Sequence, residues 1–319
     1  MRRLLISCDW GLSKFRLRLL AGGGAPDVVA EVSSTHGIAD MAARSPAEFV
    51  AILQEAIRAL FLRASAAHAP IPVALSGMVV SSLGWKQLPY AALPFPLDGS
   101  HSVIGEDQLV CSHGVHPLFF ISGVSTREDA MRGEECEVVG IFSSAEALRF
   151  REHAVAVLPG THSKSIEVRN GEVVAFQTFL TGELFELLCR HSVLRHSVSA
   201  GASAEADEHF EMGVRRSSER GLLSSLFSVR ARDILGGVSE EHCRSYLSGL
   251  LIGDELAAIA ASDPAPVPIV LAGNSSLQRL YLRALDVLGA GSRTTAVPEA
   301  ITSCAASLGH WRILDRYRS

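Results

Sequence analysis

The chain has 319 residues, of which 48% are apolar and 20% charged, and its formal net charge is −5. That composition excludes a disordered chain and a bulk basic surface for nucleic acid, and the length suggests two domains of roughly 100 to 200 residues each. No apolar run approaches the roughly 18 residues of a membrane span, and the stretch from Met1 to Ile6 meets Asp9 too soon for a secretory core, so a cytoplasmic protein is expected.

Leu4, Leu5 and Ile6 lead into Cys8-Asp9-Trp10-Gly11-Leu12-Ser13-Lys14, and alternation resumes at Phe15, Leu17 and Leu19 against Arg16 and Arg18. This predicts strand, tight polar turn, strand. Ser45-Pro46-Ala47-Glu48 is a capping box with proline at the first helical position, and Phe49, Ile52, Leu53, Ala56, Ile57, Leu60 and Phe61 follow as one apolar stripe. A core-packing helix is expected there. Residues 93–117, with Pro94, Pro96, Asp98-Gly99 and several histidines, read as loops. A boundary near residues 122–127 divides the chain into domains 1–125 and 126–319, ahead of a helix with an acidic first turn at Gly133-Glu134-Glu135 that carries Val138, Val139 and Ile141.

Further along, residues 154–158 run into Pro159-Gly160-Thr161-His162-Ser163-Lys164, with Ile166 and Val168 after it, and Asn170-Gly171 closes a hairpin with residues 173–179. Two strand-turn-strand units bearing Gly, Ser and Lys, about 150 residues apart, suggest two related domains that each offer a turn to one ligand; two unrelated hairpins are the alternative. Residues 197–207, rich in Ala, Ser and Gly, read as a surface loop. Ser239-Glu240-Glu241 opens a helix with Leu247, Leu250, Leu251, Leu256 and Ile259 inward, where Gly249 and Gly253 permit close packing. A strand over 267–272, the turn Gly273-Asn274-Ser275-Ser276 and a helix capped by Ser275 or Ser276 and stopped by Gly289 form a third candidate phosphate or nucleotide loop.

The basic residues are unusually uneven: of 29, only Lys14, Lys86 and Lys164 are lysine. Each lies beside Gly and Ser in a short motif, and a compact ammonium suits a tight phosphate or carboxylate pocket that a planar guanidinium would not fit. Asp9, at the end of a buried strand and before a glycine turn, can hold Mg2+ through waters while turn N–H groups, Ser13 and Lys14 face phosphate. The turn is not a Walker A, because no G-x-x-x-x-G-K-[ST] occurs. Glu134 and Glu135 are either dipole-stabilising acids at a helix start or a general base. The six cysteines are scattered without a C-x-x-C pair and read as reduced small hydrophobes, and the pairs His113/His116 and His191/His196 lack the spacing of a metal site.

Taken in order, Cys8-Asp9-Trp10-Gly11, the run from Ser76 through Ser81, Trp85 and Lys86 to Tyr90, Met131-Arg132-Gly133-Glu134-Glu135, Leu158 to Lys164, Thr181-Gly182-Glu183-Leu184 and Ser248 to Gly253 resemble the 2-dehydro-3-deoxygalactonokinase family. The likeness spans Leu4 to about Leu308. It implies an α/β protein of two actin/hexokinase-like (ribonuclease H-like) domains around an ATP cleft, with ATP and Mg2+ as cofactors and the 6-hydroxyl of 2-dehydro-3-deoxy-D-galactonate as acceptor in galactonate catabolism. A kinase of the same fold for another sugar acid or hexose, or a non-catalytic relative, are the alternatives. By the same resemblance Asp9 lies near the metal, Gly11, Ser13 and Lys14 form the first phosphate loop, and Gly160, Thr161, His162 and Lys164 form the second. Gly273, Asn274 and Ser275 lie by adenosine, and Glu134 or Glu135 is the catalytic base. The implied substrate is an anion and needs cationic partners, for which Lys86, scarce as lysine is here, and Arg132 are the candidates, with Ser81 and Trp85 beside them. The family usually has a small polar residue or Asn where Leu12 and Lys14 stand and Cys or a similar small residue where Ser163 stands. The implied partners are small molecules, without nucleic acid or membrane, and a homodimer is left open.

Overall fold

The computed structural model of the chain describes residues 3–41, 45–64, 70–112, 114–199, 204–261 and 266–318. His113 and residues 200–203 of the expected surface loop lie outside them. By contacts the chain forms two units, one of residues 1–149, 171–175 and 304–319, the other of 150–170 and 176–303.

In the first unit β1 (Arg3–Trp10), β2 (Phe15–Gly22) and β3 (Pro26–Ser34) form an antiparallel meander. After α1 (Pro46–Ala64) the chain adds β4 (Val73–Gly77) parallel to β1, and then the hairpin of β5 (Ile104–Cys111) and β6 (Gly114–Ile121), with β6 parallel to β4. The order is β3-β2-β1-β4-β6-β5. The expected loop over 93–117 is therefore corrected. Its second half is an edge hairpin whose outer strand exposes Glu106, Asp107 and Gln108, so its polar composition reflects a solvated edge rather than irregular chain.

Helix α1 starts as its capping box predicts, with the Glu48 carboxylate accepting from the Ser45 N–H at 3.1 Å. It buries Phe49, Leu53, Ala56, Ile57, Leu60 and Phe61 in a core with Ile6, Cys8, Trp10, Leu17, Leu75 and Phe120. Each large apolar side chain buried there contributes roughly 1.5–3 kcal/mol. Helix α2 (Glu134–Ser143) follows Gly133, whose φ of 113° is a conformation that L side chains rarely adopt.

The second unit repeats the pattern. β7 (His153–Leu158) pairs antiparallel with β8 (Ser163–Arg169), and β9 (Glu172–Phe179) follows across a turn in which Asn170 and Gly171 both have positive φ. Glu172 and Val173 at the start of β9 count with the first unit, paired with Pro96 and Phe95. Then come α3 (Thr181–His191), α4 (Glu208–Arg220), α5 (Leu222–Gly236), α6 (Glu240–Ala260), β10 (Ile269–Leu271), α7 (Ser275–Val287) and β11 (Thr294–Ala296). The order β9-β8-β7-β10-β11, with β7, β10 and β11 parallel, matches β3-β2-β1-β4-β6 strand for strand. Each unit thus has the expected α/β, ribonuclease H-like topology, and the two turns at Gly11 and Gly160 occupy equivalent places in it.

Helix α6 begins at Ser239, whose hydroxyl accepts from the His242 N–H. Gly249 and Gly253 allow α4 to approach: a Cβ on Gly249 would lie 2.0 Å from the Phe210 carbonyl oxygen. The chain finally returns to the first unit as α8 (Ala305–Tyr317), packed on α2 where Gly140 faces Ala305 and Gly309 faces Cys136. The division by contacts therefore differs from the expected boundary at 125/126. Helix α2 belongs with the first sheet because it packs on α8, which comes from a segment 162 residues further along (305 − 143) that nothing local in the sequence announces. The six cysteines form no disulfide; Cys8, Cys136 and Cys243 are buried. Among the described residues no helix is long and apolar enough to cross a membrane.

Candidate functional site

The first unit gathers its chemistry where β1 and β4 end and α2 begins, the carboxyl edge at which open α/β sheets bind ligands. Register places Asp9 beside Arg16 on β2 and Ser76 on β4. Burial pushes the Asp9 carboxyl upward, Arg16 and Arg18 oppose that shift, and Glu134 adds to it. The following turn is closed by the Gly11 N–H donating to the Lys14 carbonyl at 2.9 Å, and it leaves Leu12, Ser13 and Lys14 exposed. It is backed by a segment that the sequence reading passes over. Ile38 and Ala39 donate to the carbonyls of Gly11 and Leu12, and Trp10 Nε1 donates to the His36 carbonyl at 3.1 Å.

The two acids opening α2 face different surroundings. Glu134 is half-buried and its Oε2 accepts from the Arg132 N–H at 2.9 Å. Glu135 is fully buried and folds back on its own helix start, with Oε2 accepting from the Gly133 N–H at 2.7 Å. Burial first and the Glu134 charge second raise its carboxyl to about 8. Glu137, one turn beyond Glu134 on the same face, is raised to about 8 by burial and by the charges of Asp9, Glu134 and Glu135. It was missed as a candidate, although its i, i+3 spacing from Glu134 was a usable signal. Beneath these groups the buried His310 lies 2.8 Å from both Ser7 Oγ and Ser76 Oγ, and burial lowers its pKa to about 3.

The residues expected to meet the sugar acid divide. Arg132 precedes the acidic turn; its Nη1 donates to the Val80 carbonyl and its guanidinium lies 4.2 Å from the Tyr90 ring centroid. Lys86 instead reaches β5, donating to the Glu106 carbonyl at 2.7 Å and facing Asp107 at 3.4 Å. Trp85 is half-buried and packs against the core beside Phe49 and Phe120, and Ser81 is buried with its hydroxyl donating to the Met78 carbonyl at 2.7 Å.

In the second unit the turn after β7 leaves Thr161 and His162 exposed, and His162 Nε2 lies 2.5 Å from Glu183 Oε2. Lys164 is 3% exposed and its ammonium donates to the His162 carbonyl at 2.9 Å, so this lysine braces the turn from beneath. At the third turn Asn274, rather than Ser275 or Ser276, caps α7 by accepting from the Leu277 N–H at 3.0 Å. That leaves Ser275 exposed beside Gly273.

A profile of the family described as 2-keto-3-deoxy-galactonokinase matches residues 9–308. The chain is 33% identical over 312 residues to a Rhizobium meliloti (strain 1021) protein named Probable 2-dehydro-3-deoxygalactonokinase, covering 95% of this chain and 96% of that one. It is 30% identical over 314 residues to the 2-dehydro-3-deoxygalactonokinase of Escherichia coli (strain K12), covering 96% and 97%. A crystal structure of a Sinorhizobium meliloti protein, provisionally assigned as a 2-dehydro-3-deoxygalactonokinase, aligns over 97% of this chain and 99% of that one with a TM-score of 0.80 at 30% identity.

Proposed function

Since the chain belongs to the 2-keto-3-deoxy-galactonokinase family and is a sugar-acid kinase, we propose that it transfers the γ-phosphoryl group of ATP to the terminal 6-hydroxyl of 2-dehydro-3-deoxy-D-galactonate. One observation supports the roles of the two turns most directly. A Cβ built on Gly11 would meet nothing closer than 3.6 Å, and one on Gly160 nothing closer than 4.0 Å. Neither residue has positive φ, so packing and backbone conformation leave these two glycines unexplained, whereas close approach of a phosphate to the turn accounts for both.

On this reading Ser13 and Lys14 in one turn and the N–H groups around Gly160 and Thr161 in the other hold phosphate oxygens, and the turn at Gly273 to Ser276 receives the adenosine. Arg132 binds the sugar-acid carboxylate, for which a planar guanidinium is suited. Glu134 accepts the hydroxyl proton as that oxygen attacks phosphorus. Glu135 does not share this role, because its buried carboxyl is spent on the Gly133 N–H. The donor set fits Mg2+, which takes hard oxygen ligands, usually one or two carboxylates with waters and phosphates. Asp9 would hold it, and when bound it supplies positive charge against the phosphate oxygens.

ADP release measured across a panel of 2-keto-3-deoxy and simple hexonates, with hexoses as controls, tests the assignment. Selective turnover of 2-dehydro-3-deoxy-D-galactonate is expected. Preference for a hexose or another acid would move the substrate, and ATP binding without turnover of any would leave a binding protein.

A further inference from the structure

Below the second turn the fold holds an acid that the reaction described above does not use. Glu255, on α6, is 2% exposed, and its carboxylate accepts three hydroxyl groups. Ser163 donates to Oε1 at 2.5 Å, while Oε2 accepts from Thr181 and, at 2.7 Å, from Tyr281. Burial raises its pKa and the three hydroxyl groups oppose that shift. A charge-bearing group in the interior is costly unless its lone pairs are met, and here they are met from three separate elements.

Those elements carry the nucleotide turns. Ser163 opens β8, directly after the second turn. Thr181 opens α3, whose next residues clasp that turn: the Glu183 N–H donates to the Thr161 carbonyl at 3.0 Å, and Gly182 lies so near that a Cβ would be 2.5 Å from the Gly160 carbonyl oxygen. Tyr281 is on α7, the helix that the third turn starts. We propose that Glu255 is a positioning residue for nucleotide binding: its carboxylate draws β8, α3 and α7 to one point and so sets the second and third turns in register for phosphate and adenosine. The inference rests on the reading of Gly160 to Lys164 as a phosphate turn.

The test compares steady-state constants for ATP and for the sugar acid in Glu255→Gln, Thr181→Val and their double variant, with Gly160→Val as a reference for the turn itself and thermal unfolding measured on each. Glu255→Gln and Thr181→Val should raise KM for ATP about tenfold, as expected for loss of hydrogen bonds to a charged group, with KM for the sugar acid changed less than about twofold. The double variant should be no worse than the more severe single one. Thr181→Val removes one hydroxyl and keeps the shape, so it carries the test if Glu255→Gln does not fold. The proposal is overturned if both leave KM for ATP unchanged while Gly160→Val raises it, whether or not apparent kcat falls with the folded fraction. If Gly160→Val itself leaves KM for ATP unchanged, the phosphate-turn reading fails and takes this inference with it.

Discussion

At the scale of single residues, three neighbouring glutamates on one helix are set apart by where their carboxyls point. Glu134 is half-buried with one oxygen on the Arg132 N–H, and on the proposed reading it is the acid that takes the proton. Glu134→Gln is expected to lower kcat by about 10²- to 10⁴-fold with KM for ATP near the wild-type value. Full turnover in that variant together with loss in Glu137→Gln would shift the base by one helical turn. Glu135 behaves oppositely. Its carboxyl rises from an ordinary 4.5 to about 8, so between those values the folded protein holds a proton that the unfolded chain has released. Its contribution to stability is complete below about 4.5 and is lost as pH rises through about 8. Melting temperature of the wild-type protein, without nucleotide, should fall from pH 6 to pH 9, and Glu135→Gln should flatten that fall. An unchanged slope in the variant would show that Glu135 ionises freely in the folded state.

At the scale of elements, glycines decide which helices can touch. Helix α6 approaches α4 so closely that a methyl group at position 249 would sit 2.0 Å from the Phe210 carbonyl oxygen, with backbone rather than a movable side chain in the way. Overpacking of this kind costs typically 1–3 kcal/mol. Gly249→Ala should therefore lower stability in urea by at least about that amount, although alanine is the better helix former by roughly 1 kcal/mol. An unchanged or higher unfolding midpoint would mean that the helix pair separates without cost. The same geometry explains why the motif from Ser248 to Gly253 was visible as close-packing helix in the sequence, while its partner α4 was not named. α4 carries few apolar residues, and only Phe210, Gly213, Val214 and Ser217 are buried.

At the scale of the whole molecule, the last helix completes a unit that the first residues begin. Helix α8 buries Trp311, Ile313 and Leu314 and supplies His310 between Ser7 and Ser76. Three such side chains at roughly 1.5–3 kcal/mol each are comparable with the total stability of about 5–15 kcal/mol of an ordinary domain. A chain ending at Ser303 should accordingly lose the cooperative unfolding of its first unit and all kinase activity, as read by calorimetry and ADP release. Retention of activity by a soluble truncated chain would show that α2 holds the Glu134 turn without α8.

The amino-acid sequence alone determined the local units. The hairpin turn at Gly11, its counterpart at Gly160, the Asn170-Gly171 turn, the capped helices at Pro46 and Glu240 and the acidic helix start at Glu134 all follow from side-chain period, capping chemistry and glycine, which act over a few residues. The family, too, was legible in short runs such as Met131 to Glu135. Tertiary structure decided what those units meet. Lys164 and Glu135 were turned inward by burial and hold backbone partners two residues away, whereas Lys86 was drawn to β5 and Trp85 packed against the core by partners on other elements. The union of α2 with α8, and of Glu255 with Ser163, Thr181 and Tyr281, likewise depends on chain-crossing contacts at separations from 26 to 92 residues and beyond, where no sequence period reaches.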